Sequence, residues 1–72
     1  MVNVNKLKGK IVEKGINVGE LAERIGIDRA TLYRKISAEG KTITLHEADL
    51  IAKELELTCD EVNAIFFAPT VA

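Results

Sequence analysis

The stretch from Asn17 to Ile36, NVGELAERIGIDRATLYRKI, leaves the chain few ways to fold. Asn17 can accept a hydrogen bond from a free N–H at a helix start, and Glu20, three residues on, can reach back to it as in a capping box. Leu21, Ala22 and Ile25 then recur at helical spacing. Gly26 breaks that helix at a position that suits a left-handed residue. Ile27 follows as an apolar plug, and Asp28 is a good N-cap for a second helix, in which Leu32 and Ile36 share the buried face. Two short helices joined by a tight turn are dictated by these residues alone, with the small Ala22 allowing them to cross closely.

That plan is a helix-turn-helix. Its second helix carries Arg29, Ala30, Thr31, Tyr33, Arg34 and Lys35 on its start and outer surface. Arginines near the front of a short helix suit a DNA major groove, because guanidinium pairs bidentately with the guanine edge.

The remaining elements are also marked. Val4, Leu7 and Ile11 form an apolar stripe with Val12 beside it, which predicts a first helix from about Val4 to Lys14, capped by Asn3 or Asn5 and closed by Gly15. Gly9 sits in mid-helix, where it costs about 1 kcal/mol against alanine. SAEGKTIT, residues 37–44, is a loop with Ile43 turned inward. Thr44 and Glu47 form a capping box for a fourth helix, whose Leu45, Ala48, Ile51, Ala52 and Leu55 are expected to close the core. Thr58 and Glu61 form another, opening a fifth helix from about Cys59 to Phe66 that buries Val62, Ile65 and Phe66. The expected fold is all-α: a compact five-helix domain over residues 1–67 with a tail over 68–72.

Several function classes are poorly served. His46, Cys59 and Ser37, one residue of each type, lie on different elements, so no nucleophile has an oriented base. No zinc spacing and no phosphate-cradling glycine loop occur. The expectation is no catalytic residue, no metal, no cofactor and no small-molecule ligand, with Cys59 a buried, inert thiol. The first residues lack the apolar run of a signal peptide and no stretch approaches membrane-spanning length, so the chain is expected in a reducing cytoplasm.

The net charge of −1 divides unevenly. Residues 1–44 carry nine basic and five acidic side chains, and residues 45–72 carry one basic and six acidic. The asymmetry predicts a basic face, suited to a phosphate backbone, and an acidic one.

ELAERIGIDRATLYRKI resembles the Cro- and repressor-type (XRE) helix-turn-helix family, in particular its small phage-borne members, and the likeness continues through LHEADLIAKELELT and EVNAIFF. The resemblance implies a transcriptional regulator that binds a double-stranded DNA operator. Arg29, Ala30, Thr31 and Arg34 would face base edges. Asn17, Val18, Tyr33, Lys35, Lys41 and Thr42 would meet the DNA backbone. One domain reads one half-site, so a homodimer on a pseudo-palindrome is implied, with Phe67 and Val71 as candidate dimer contacts. In many relatives an apolar residue stands where this chain has Lys35 and an acid where it has Ile36, which raises the question of a rotated recognition helix. The alternative is a helical protein-interaction module, antirepressor- or antitoxin-like, that uses the acidic half and does not itself touch DNA.

Overall fold

The computed structural model describes residues 2–67, and all of the regular structure within them is helical. The elements are α1 (Val4–Glu13), α2 (Val18–Ile25), α3 (Arg29–Ser37), α4 (Leu45–Glu54) and α5 (Cys59–Phe66). Each starts at a side-chain cap. Asn3, Asn17, Asp28, Thr44 and Thr58 each accept a hydrogen bond from the backbone N–H three residues on, relieving one of the unpaired donors at a helix start. The reciprocal bond from the cap N–H back to a glutamate is accepted by Glu47 and by Glu61, both at 2.9 Å. At Asn17 only the first half of the expected box forms, Glu20 N–H donating to Asn17 Oδ1 at 2.8 Å.

α2 packs most closely on α3 and next on α4, while α1 lies against α2 and α5. Leu7 and Ile11 of α1, Leu21 and Ala22 of α2, and Leu32 and Ile36 of α3 meet Ile51, Leu55, Ile65 and Phe66 in one core. Ile27 and Ile43 pack against it from the two loops that flank α3. The N–H of Asn3 donates to the Ile65 carbonyl at 2.6 Å, tying the start of the chain to α5.

Two glycines shape the frame of α3. Gly26 ends α2 at φ 78°, and the N–H of Ile27 reaches back to the Ala22 carbonyl at 2.9 Å, a Schellman-type closure. Gly40, at φ 72°, turns the loop after α3 and lies so close to Val2 that a Cβ there would stand 2.7 Å from the Val2 Cβ.

Four expectations are corrected. Val12 is 73% exposed, because it lies about 100° round the helix from Ile11 and clears the core. Leu45 is 75% exposed: as the first residue of α4 it precedes the turn at which that helix reaches the core, and Ile51 and Leu55 carry the buried face. Cys59 is exposed at the first position of α5 and is not buried. α1 ends at Glu13, with Lys14 as its cap. Among the described residues no helix is long and apolar enough to cross a membrane, and no three His, Cys, Asp or Glu side chains gather as a metal site.

Candidate nucleic-acid interface

Burial of Leu32 and Ile36 fixes the rotation of α3 and turns Arg29, Ala30, Tyr33, Arg34 and Ser37 outward. These recur at i, i+1, i+4, i+5 and i+8, a single exposed stripe. Ile36, not Lys35, therefore takes the core position.

Lys35 sits at the edge of that stripe, its side chain only 19% exposed. Its Nζ donates to both carboxylate oxygens of Glu47 at 2.7 Å, while Glu47 Oε1 also accepts from the Thr44 N–H. Burial pushes the Glu47 carboxyl up, but the Lys35 ammonium and the Thr44 N–H outweigh it and hold the group below its usual range. The residue expected to offer charge to a DNA backbone is thus engaged with α4.

Arg34 and Thr31 come together. Arg34 Nη2 lies 3.4 Å from Thr31 Oγ1, and that hydroxyl is itself 3.3 Å from Asp28 Oδ2. With Lys35, Ala38 and Thr42 they line a shallow cleft of about 430 Å³ between α3 and the following loop. Lys41 stands on that loop, exposed, while Tyr33 is half exposed on the outer stripe. At the other end of α3, Arg29 folds back across α2, its Nε 3.2 Å from Glu23 Oε1. Asn17 and Val18 stand at the α2 N-terminus, where the N–H of Val18, one of the first-turn donors, has no carbonyl within its own helix to bond.

The uneven charge does not resolve into a basic and an acidic face. Lys10 pairs with Glu61, Lys14 with Glu56, Arg24 with Glu54 and Lys35 with Glu47, so the basic first half of the chain clasps the acidic second half. Among the described lysines and arginines only Lys6, Lys8, Arg34 and Lys41 have no acidic partner within bridging distance. Lys8 is one that the sequence alone does not single out. It lines a groove with Ile36, Ser37 and Glu39, at the C-terminal end of α3. Its place one residue beyond Leu7 puts it on the flank of the α1 stripe, but nothing in the sequence says which helix that flank meets. Phe67 is 56% exposed, and Val71 lies outside the described residues.

No curated protein and no solved structure shows significant similarity to the chain. A family match does exist: residues 6–66 fit the Cro/C1-type HTH DNA-binding domain, a span that runs from the first turn of α1 to the end of α5. With capped α2, the glycine turn, outward-facing α3 and most of the chain inside that span, the chain belongs to the Cro/C1-type helix-turn-helix DNA-binding family.

Proposed function

We propose that the protein is a sequence-specific transcriptional regulator of the small, phage-borne repressor kind, and that α3 enters the major groove of its operator N-terminus first. The observation that carries this reading is the exposed stripe of α3, which holds Arg34 with no acidic partner among the described residues. Arg29 and Arg34 read guanines, and Ala30 and the Thr31 methyl meet thymine methyls. Asn17 and Val18 place the α2 N-terminus against a phosphate, and Tyr33, Lys41 and Thr42 add backbone contacts. Lys35 has a different part, since a DNA contact would require it to leave Glu47. Two copies bind half-sites about one turn, or roughly 34 Å, apart, and exposed Phe67 contributes to the contact between them.

Fluorescence anisotropy with a random duplex pool, over a salt series, tests this reading. Affinity is expected to fall by about 0.9 log units per decade of salt for each phosphate neutralised. The recovered duplexes should contain paired half-sites. Arg34→Ala should weaken binding to them by about 1–3 kcal/mol while leaving non-specific binding nearly intact. Absence of binding at low salt overturns the reading and directs attention to a protein partner.

A further inference from the structure

Arg29 is not a side chain hanging free at the head of α3. Its guanidinium lies flat against the first turn of α2, above Gly19, which is itself buried although it is the second residue of a surface helix. A Cβ built on Gly19 would stand 2.9 Å from Arg29 Nε and 3.0 Å from both Cζ and Nη2. The same Nε is 3.2 Å from Glu23 Oε1, one turn further along α2. The Nε–Nη2 side of the guanidinium face therefore lies over Gly19, with Nε paired to Glu23, and neither Nη1 nor Nη2 has a hydrogen-bond or ion-pair partner among the described residues. Two N–H groups from these nitrogens match the paired acceptors O6 and N7 of guanine.

We propose that Gly19 and Glu23 form a seat for Arg29 and are positioning residues for its base preference: Gly19 supplies the space, and Glu23 supplies the charge that holds the guanidinium in it. The proposal rests on the DNA reading above. Both members of the ion pair are more than half exposed, so the pair adds little to fold stability. Its worth lies in the freedom it removes from Arg29 before DNA arrives. A negative charge beside the DNA-facing helix would otherwise only repel phosphate.

The two seat residues can be disturbed separately, one with a change of charge and one without. Glu23→Gln removes an acid and should raise non-specific affinity. Gly19→Ala changes no charge, and the three atoms nearest its new methyl all belong to the far end of the Arg29 side chain, so the helix persists while Arg29 is pushed off its seat. Binding selection from the random pool should show, for both variants, an approximately tenfold loss of preference at the base pair that Arg29→Ala also relaxes, a share of what one bidentate contact supplies. The preference at the Arg34 base pair should not change. In the protein without DNA, the Arg29 Nε–H resonance should shift in both variants while the other arginine signals stay in place.

Failure is distinguishable at each level. If the parent protein binds no DNA, the DNA reading falls and the seat falls with it. If the parent selects a site and Glu23→Gln tightens binding with an unchanged base preference, the seat alone is overturned, since Glu23 is then only a repulsive surface charge. An Arg29 Nε–H resonance that ignores both substitutions overturns it equally.

Discussion

At the scale of single residues, the order of Lys35 and Ile36 is accommodated by α4. Ile36 fills the core and Lys35 closes on Glu47, a carboxylate only 16% exposed that also completes the cap of α4. The two partners are not equivalent. Removing Glu47 leaves a half-buried ammonium alone and opens the Thr44 cap, whereas replacing Lys35 with an apolar side chain of similar length leaves Glu47 its bond to the Thr44 N–H. Glu47→Ala should therefore cost about 2 kcal/mol, and Lys35→Met should cost less, about 1 kcal/mol, since the Glu47 carboxylate loses its ammonium partner but keeps the Thr44 N–H. Urea unfolding with unchanged m-values would measure both. Equal losses in the two variants would mean that Lys35 is held for the ion pair itself. Nothing in the sequence announces this pair: Lys35 and Glu47 are twelve positions apart, and only the crossing of α3 and α4 joins them.

At the scale of elements, helix starts and stops are legible because their signals are local. Thr44 with Glu47, Thr58 with Glu61, and Asp28 each act within one turn of chain, and the bounds of α2, α3 and α5 match the spacing of their caps and apolar residues. What periodicity cannot supply is how wide a strip each neighbour covers, which is why Val12 and Leu45 emerge exposed. Nor can it show which lysines of α1 meet an acid and which, like Lys8, do not. The glycines separate the two kinds of information. A Cβ added to Gly9 would meet no atom within 4 Å, so this glycine serves no close helix crossing, and Gly26 is equally open but sits at φ 78°. Gly9→Ala should then stabilise the domain by about 1 kcal/mol through helix propensity, which corresponds to a rise in Tm of roughly 4–8 °C. Gly26→Ala should destabilise it by about 1–2 kcal/mol, the cost of a left-handed alanine. Calorimetry on the two variants would decide; a loss of stability at Gly9 would overturn the reading of that position as an open helical site.

At the scale of the whole molecule, the clasp between the basic and acidic halves makes stability depend on pH. Lys10 joins α1 to the start of α5 through Glu61, with Glu13 at 3.5 Å as a second partner. The Lys10 ammonium beside it, together with the Thr58 N–H, holds the Glu61 carboxyl down at about 2, against an ordinary 4.5. The Lys10 ammonium is raised in turn, mainly by Glu61 and against its partial burial. A carboxyl depressed by folding binds fewer protons in the folded than in the unfolded chain, so stability rises with pH wherever the two differ. Its contribution is complete above about pH 4.5 and is lost as pH falls towards 2. The contribution of Lys10 has the opposite sign: complete below its ordinary 10.5, and lost as pH rises through its higher folded value. Lys10→Gln should therefore flatten the stability profile between about pH 2 and 5 and at its alkaline end. It should leave part of the acid slope in place, because the Thr58 N–H and the Glu47 pair still favour ionised carboxylates. Urea midpoints measured at half-unit pH steps would test this, and a variant profile parallel to the parent's throughout would show that α1 and α5 are held by Leu7, Ile11 and Ile65 without the aid of charge. Such a result would leave the proposed DNA-facing surface unaffected, since Arg34 and Lys41 take no part in the clasp.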